Sequence, residues 1–504
     1  MTVVQQFQPE LRLSDLLTGD IAVPSQYDPV ITGIALDSRK VQPGDLFLAL
    51  RGSRVDGCEF INAAIERGAA AVLRESPAGS DIEIRRQIPL IPIADLGQCA
   101  GAIAARFHGA PSNAMQVIGI TGTNGKTSCS HFLAQALGDG VSPAAVIGTL
   151  GSGLFGDLRE SCNTTPDPVT LQSQLALFRD KGARYAVMEV SSHALEQGRV
   201  LGVCFDTAVF TNLSRDHLDY HGSMASYGAA KRKLFTMPGL RRAVINADDE
   251  FGRELLNSLP VGISRCGYTL EGRSGAAVTV AGTELNLSPH GLRMKVQTPW
   301  GNCELNSPLL GRFNASNLLA VLSTLLMLDV PLEHALSRLS RLAPVPGRMD
   351  SFGGNKRPLV VVDYAHTPEA LEQVLITLRD HGKQLWCVFG CGGDRDRGKR
   401  PLMGAVAGKY AEHVVITDDN PRAEDPGVIV ADILAGIPDS SEVTVCHNRA
   451  TAIFTAVQLA SAQDVVLVAG KGHEQFQQIG DEKYSFSDRN AVQEALSEWS
   501  ARNG

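Results

Sequence analysis

Val117-Ile-Gly-Ile-Thr-Gly-Thr-Asn-Gly-Lys-Thr127 is the stretch from which the rest of this 504-residue chain can be read. Val117 to Ile120 predicts a short buried strand. Gly122, Thr123, Asn124 and Gly125 form a loop, and Lys126, Thr127 and Ser128 open a helix. That helix carries Phe132, Leu133, Ala136 and Leu137 on one face, with Gly138 placed to stop it. Strand, glycine loop, Lys-Thr and helix make a phosphate cradle. The glycines let backbone N–H groups point inward, and the helix N-terminus adds partial positive charge. Lys126 can reach the β- and γ-phosphates of a nucleotide, and Thr127 can hold Mg²⁺ through its hydroxyl. The strict motif has glycine five residues before Gly125. Ile120 stands there, flanked by Gly119 and Gly122, so the loop is a variant.

Outward from the loop, length predicts about three domains. Hydrophobic content of 44% and charged content of 20% are those of an ordinary globular protein. The net charge of −8 argues against a nucleic-acid partner. No apolar run reaches the ~18 residues of a membrane span, and the N-terminal residues lack the basic and apolar parts of a secretory signal. The ten cysteines form no framework. Cys387 and Cys391 have no second Cys/His pair nearby, so free thiols in a reducing cytoplasm are expected rather than a zinc site.

The fold class is α/β in three domains. Residues 1–112 read as a small α/β domain, with strands at Val30–Leu36, Asp45–Leu50 and Ala70–Leu73 and a helix at Glu59–Arg67. Its loops at Ser38-Arg39 and Gly52–Gly57 are solvated or functional on pattern alone. Residues 113–345 read as a P-loop mononucleotide-binding domain with a mostly parallel sheet. Tyr185–Glu189 is a buried strand ending in an acid, which beside a phosphate loop favours a Mg²⁺ role over a plain strand end. Asn212–Gly222 gathers Asp216, His217, Asp219 and His221 behind the strand Thr207–Thr211, where α/β proteins bind ligands. Ser226–Phe235 reads as a helix with a solvated basic side. Residues 275–305 read as a β-hairpin layer. Gly311–Asn317 opens a helix on which Asn314 and Asn317 share a face, either toward a ligand or as caps.

Residues 346–504 read as a Rossmann-like domain. Its strands at Leu359–Val362, Leu385–Phe389, Val414–Thr417 and Val465–Ala469 each release a charged or glycine-rich loop. In an open parallel sheet such loops crowd one edge. They present Asp363, His366, Asp394, Arg395, Asp419, Asn420, Arg422, Lys471, His473 and Glu474. Arginine forks suit carboxylates and acids suit an ammonium, so a zwitterionic substrate is expected. A nucleotide site and an amino-acid-like site predict ATP-driven bond formation. No Ser-His-Asp or Cys-His nucleophile is visible, which fits direct phosphoryl transfer.

Several motifs together carry a resemblance. Gly122–Thr127, Glu189-Val-Ser-Ser-His193, Asn212–His217, Gly311–Asn317, Pro346-Gly-Arg348, Asp363–His366, Asp419-Asn-Pro-Arg422 and Gly470–Glu474 resemble the Mur ligase superfamily along essentially the whole chain. The Asp-Asn-Pro-Arg loop is similar to that of its diaminopimelate-adding branch. The resemblance implies a cytoplasmic, monomeric enzyme of bacterial peptidoglycan synthesis. It would use ATP and Mg²⁺ to join a UDP-N-acetylmuramoyl dipeptide to meso-diaminopimelate. ATP would sit on Gly122, Thr123, Asn124, Gly125, Lys126, Thr127 and Ser128, with Asn314, Asn317, Arg348 and Asp363. Thr127, Glu189, His217 and Lys231 would surround the metal, and Lys231 would be N6-carboxylated, against the solvated-face reading of its helix. Lys126, Glu189, His217 and Lys231 would be the catalytic set. The UDP-sugar would lie on Leu36, Ser38, Ser53, Arg54 and Val55. The peptide arm would lie on Asn163, Thr164, Thr165, Ser191, Gln197 and Arg199. Diaminopimelate would use Arg395, Asp419, Asn420, Pro421, Arg422, Gly470 and Glu474. The rival readings are a lysine-adding ligase of the same family, a folylpolyglutamate synthase, and a P-loop regulatory switch.

Overall fold

The strands predicted from uninterrupted apolar runs form with little change in the computed structural model. It describes residues 11–17, 23–52, 56–77, 80–138, 143–161, 163–273, 276, 278–288, 291–354, 356–379, 381–437 and 442–503. The chain divides into two units. One comprises Met1–Gly119, Gly138–Thr207 and Met237–Leu240, and the other Ile120–Leu137, Ala208–Thr236 and Arg241–Gly504.

In the first unit a five-stranded sheet runs in the order Gly33–Ala35, Asp45–Ala49, Ala71–Glu75, Ile88–Ile93, Glu83–Arg85. Its first four strands are parallel and the edge strand is antiparallel. Apolar clusters cover both faces, one including Leu96, Ala100 and Ile103 and the other Ile61, Ala64 and Ile65. The strand predicted over Val30–Leu36 shrinks to Gly33–Ala35, because Val30 instead bridges to Arg12. The helix predicted over Glu59–Arg67 begins as a tight 3₁₀ turn, Gly57–Phe60, with the Asp56 carboxylate accepting from Cys58 N–H. Further along this unit, Tyr185–Glu189 runs parallel to Ala144–Gly148. The strands Gly151–Leu154 and Asp157–Arg159 extend from the latter as an antiparallel meander.

In the second unit Arg242–Asn246, Ser264–Thr269 and Val278–Ser288 are parallel neighbours. Val278–Ser288, Gly291–Thr298 and Gly301–Ser307 form the expected antiparallel layer. The helix Lys126–Leu137 is buried on nearly every side, including Ser130 and His131, rather than along one stripe. The reason is its neighbour, the largely buried helix Arg312–Met327, packed against it. A six-stranded sheet follows, in the order Asp350–Gly353, Leu359–Asp363, Val465–Ala469, Leu385–Phe389, His413–Ile416, Glu442–Val445. All but its first strand are parallel. Leu371, Met403 and Ile433 fill one face, and Ile453, Val492 and Trp499 the other. The loops after four adjacent strands therefore share the sheet's C-terminal edge, as expected.

Candidate active site

The phosphate loop is built by backbone geometry and held by its neighbours. Gly122 and Gly125 take φ of 149° and 87°, which side chains disfavour. A Cβ on Gly125 would stand 2.7 Å from Asn317 Oδ1. Asn212 clamps the loop from both ends: its Oδ1 accepts from Asn124 N–H at 2.8 Å, and its Nδ2 donates to Asn124 O at 3.1 Å. Thr211 Oγ1 donates to Asn124 O at 2.6 Å. Thr123 Oγ1 accepts from Ser214 N–H at 3.0 Å. Lys126 Nζ curls over the loop, donating to Gly122 O at 2.8 Å and Thr123 O at 2.9 Å. Thr127 and Ser128 are buried in the first helical turn.

Lys231 lies beneath the same loop. The helix predicted over Ser226–Phe235 runs Met224–Arg232, capped by Ser223, and tightens to a 3₁₀ turn at Lys233–Thr236. Its basic side is not uniformly solvated: Lys231 is 1% exposed. Its Nζ donates to Gly122 O at 2.9 Å and stands 4.2 Å from the Tyr227 ring centroid. Burial first, and then the Lys126 charge, drive its pKa well below the ordinary lysine value.

The second sheet reaches this loop within the same unit. Arg348 Nη2 donates to Thr127 Oγ1 at 3.2 Å, and its guanidinium stacks 4.3 Å from the Tyr364 ring centroid. The buried Asp363 carboxylate accepts from Met349 N–H at 2.8 Å, fixing the turn that carries Arg348. Asn124 Nδ2 approaches Thr367 Oγ1 at 3.4 Å. Asn314 and Asn317 do share a face, joined by a 3.2 Å hydrogen bond. Neither caps the helix, because Gly311 holds that position and Asn314 Nδ2 donates back to Leu310 O.

Asp216 is a hub that the sequence placed only within a polar cluster. It is 4% exposed, with His217 Nε2 at 3.4 Å, His366 Nε2 at 3.6 Å and Lys399 Nζ at 3.5 Å. Burial opposes its ionisation, but the adjacent His366 imidazole and the Lys399 and His217 charges outweigh it and hold its pKa well below the usual value. Beside it Arg215 pairs with Asp396 at 3.1 Å. Lys399 and Arg400 escaped notice in the sequence. The available signal was a Lys-Arg pair in the first turn of the helix Lys399–Tyr410, where the helix dipole disfavours cations.

On the loop edge, Lys471 is fully buried and donates to Asn420 Oδ1 at 2.9 Å and Glu474 Oε2 at 2.8 Å. Asn420 Nδ2 also donates to Glu474 Oε2, at 2.9 Å. A Cβ on Gly470 would meet Asp419 Oδ2 at 2.7 Å. Arg422, at φ 52°, donates from Nη1 to Gly393 O at 2.8 Å. Burial and the neighbouring Arg395 charge push its pKa down. Arg395, Asp419, Asn420, Pro421, Arg422, Gly470 and Glu474 thus lie along one edge of one sheet.

In the first unit Glu189 is 1% exposed; Thr149 N–H donates to its Oε1 at 2.7 Å and Thr149 Oγ1 to its Oε2 at 3.1 Å. Thr149 Oγ1 also meets Thr164 Oγ1 at 3.2 Å. Thr165 Oγ1 donates to Glu189 O at 2.9 Å and accepts from Ser191 N–H at 3.1 Å. Arg199 donates to Thr165 O at 3.0 Å and grips Gln197 Oε1 at 2.6 Å. Thr164, Thr165, Ser191, Gln197 and Arg199 therefore form one network, with Asn163 exposed beside it. Leu36 and Ser38 lie instead just past the first strand of the five-stranded sheet, Ser38 opening the 3₁₀ turn Ser38–Lys40. There Asp37 binds Arg39, whose hydrogen bond pulls the Asp37 pKa down to about 2. Ser53, Arg54 and Val55 lie outside the described residues.

Among the described residues no three His, Cys, Asp or Glu side chains group as a ready metal cage. Mg²⁺ seldom needs one, since it keeps waters and takes one or two protein ligands plus substrate phosphates. A hydroxyl such as Thr127, inside a phosphate cradle, fits that mode; an unmodified lysine amine does not.

Residues 30–108 match the Mur ligase family catalytic domain, residues 120–325 the Mur ligase middle domain, and residues 347–472 the Mur ligase glutamate ligase domain. The chain is 51% identical over 495 residues to the UDP-N-acetylmuramoyl-L-alanyl-D-glutamate–2,6-diaminopimelate ligase of Chromobacterium violaceum, covering 97% of this chain and 99% of that one. It is 52% identical over 474 residues to the ligase of the same name from Ectopseudomonas mendocina, covering 94% and 96%. A solved structure of a ligase of that name superposes with a TM-score of 0.69 at 37% identity, covering 97% and 99%. With its phosphate loop, its charged sheet edge and relatives alike from end to end, the chain belongs to the Mur ligase family.

Proposed function

We propose that this chain is an ATP-dependent ligase. It joins the γ-carboxylate of the D-Glu residue in UDP-N-acetylmuramoyl-L-alanyl-D-glutamate to an amine of meso-2,6-diaminopimelate, a step in peptidoglycan precursor synthesis. The observation that carries the reading is the Arg348–Thr127 hydrogen bond, at 3.2 Å. It links the phosphate loop to the sheet whose edge holds Arg395, Asp419, Asn420, Arg422 and Glu474, so ATP and an amino acid can be served by one unit. The full-length likeness to ligases of that name supports the same substrates.

In this reading residues 1–112, 113–345 and 346–504 bind UDP-sugar, ATP and amino acid in turn. Gly122 to Ser128 cradle the phosphates, with Asn314, Asn317, Arg348 and Asp363 completing the nucleotide site. Thr127, Glu189, His217 and Lys231 would hold Mg²⁺, which when bound supplies charge neutralisation at the phosphates. Lys231 serves as a carbamate, since an ammonium would repel the metal. CO₂ adds to a neutral amine, and burial beside Lys126 favours that form. Lys126 swings from the Gly122 and Thr123 carbonyls to the γ-phosphate. A D-Glu γ-carboxylate oxygen attacks the γ-phosphorus, the bond to the bridging oxygen breaks, and ADP leaves, giving an acyl phosphate. The diaminopimelate amine then attacks the acyl carbon, loses a proton and expels phosphate. Arg422 pairs with the carboxylate at the far stereocentre, a group lysine lacks.

The test is turnover with a ¹⁸O-labelled D-Glu carboxylate. ADP should form only when both the UDP-dipeptide and diaminopimelate are present, and one label should appear in the released phosphate. Substrate-independent hydrolysis would favour a nucleotide switch, and unlabelled phosphate would exclude the acyl phosphate.

A further inference from the structure

The two arginines read as carboxylate binders, Arg395 and Arg422, sit on separate loops, and close guanidiniums repel. Something must hold the loops in register. Arg400 does so from beneath. Its side chain is fully buried; Nη2 donates to Glu424 Oε1 at 2.8 Å and to Gly392 O at 3.3 Å, while Nη1 donates to Glu424 Oε2 at 3.0 Å and Asp432 Oδ2 at 2.9 Å. Glu424 in turn accepts from Asp394 N–H at 2.5 Å, and Asp394 Oδ2 accepts from Ala423 N–H at 3.2 Å. Gly393 N–H donates to Asn420 O at 2.9 Å. Both Asp394 and Arg422 have φ of 52°, a strained conformation that persists only where surrounding bonds over-determine it. Space is tight as well: a Cβ on Gly392 would stand 2.8 Å from Arg422 Nη1 and 3.7 Å from Arg395 Cγ.

We propose that Arg400 and Glu424 form a positioning pair for substrate selection. Their two-pronged bond fixes the separation of Arg395 and Arg422, so that the site takes an amino acid with a carboxylate at each end. The proposal rests on reading this edge as the amino-acid site. Arg400 touches no substrate; it acts through the two loops. Arg400→Lys keeps the charge but loses the planar fork, so the loops lose their register while the Glu424 and Asp432 carboxylates keep a cation.

The experiment measures KM and kcat of the full-length enzyme for each substrate in Arg400→Lys, Glu424→Gln and Arg422→Ala, together with use of L-lysine in place of meso-diaminopimelate. Loss of a charge-assisted bond predicts a rise in KM for meso-diaminopimelate of about tenfold in Arg400→Lys and Glu424→Gln. The kcat should stay within about threefold and KM for ATP should not move, while the preference over lysine narrows by a similar factor. A general loss of structure would instead lower kcat and shift all three KM values together, and that result overturns the proposal. Should Arg400→Lys fail to fold, Glu424→Gln decides alone, because Glu424 is partly exposed and the amide keeps its shape. If Arg422→Ala raises KM for diaminopimelate and the positioning variants do not, only this proposal fails. If Arg422→Ala has no effect, the amino-acid site itself is misread and the proposal falls with it.

Discussion

Lys231 shows how far a single residue's role depends on groups distant in the chain. Its sequence neighbours, Arg232 and Lys233, are half-buried and exposed, and a run of three cations reads as a wet helix face. Tyr227 one helical turn back and the Gly122 carbonyl on the loop remove its nitrogen from water instead. A buried amine with a depressed pKa is a poor salt-bridge partner and a good CO₂ acceptor. Lys231→Ala should lower kcat by about a hundredfold, the scale of a lost electrostatic contact at a reacting centre. Formate or acetate should restore part of the rate by standing in for the carbamate carboxylate. Full activity in the unsupplemented variant would remove Lys231 from the metal site.

At the scale of elements, most of the fold was legible where apolar runs are uninterrupted and punctuated. Tyr185–Glu189, Leu385–Phe389 and Val465–Ala469 form over the predicted residues because each run is buried, Tyr185 alone being half-buried, and ends at glycine or a polar turn. Val30–Leu36 overshoots, since an apolar run does not reveal that Val30 pairs elsewhere. The site was legible as loops and illegible as contacts. Asp216 could be seen in a polar cluster, but its partners His366 and Lys399 arrive from a later sheet, and no spacing rule connects them. The Pro346–Gly347 turn is the sharpest case. Gly347 has φ of 67°, and a Cβ there would overlap His473 N and lie 2.6 Å from Gly472 C. The turn and the Gly470–Glu474 loop therefore pack backbone against backbone, which sets where Arg348 points. Gly347→Ala should cost about 2–4 kcal/mol in urea unfolding, from left-handed strain plus overpacking. It should also raise KM for ATP, because Arg348 shifts from Thr127. Unchanged stability and unchanged KM together would show that the turn tolerates a side chain.

For the whole molecule, the same packing predicts an acid limit. His131 is 4% exposed, and burial, helped by the Arg348 charge, pushes its pKa down from 6.5 to about 4. His473 is pushed down to about 3, again by burial first and Arg348 second. Both stay neutral in the folded protein at pH values where the unfolded chain has protonated them. The unfolded state therefore binds more protons between about pH 6.5 and pH 4, and stability falls with pH across that window. The contribution is intact above the unfolded value of 6.5 and is lost as pH drops through the folded values. For His131 the loss at full protonation is on the order of 3 kcal/mol. Two buried histidines facing one arginine cannot be charged independently, so the second adds less than its own shift suggests. Urea unfolding at pH 7.0, 6.0 and 5.0 should show a steady decline, and a His131→Asn variant should show a shallower slope than the parent, whatever its absolute stability. An identical slope in the variant would mean that acid unfolding is driven elsewhere, by carboxylates such as Asp216 that are ionised in the folded state and lose their partners on protonation.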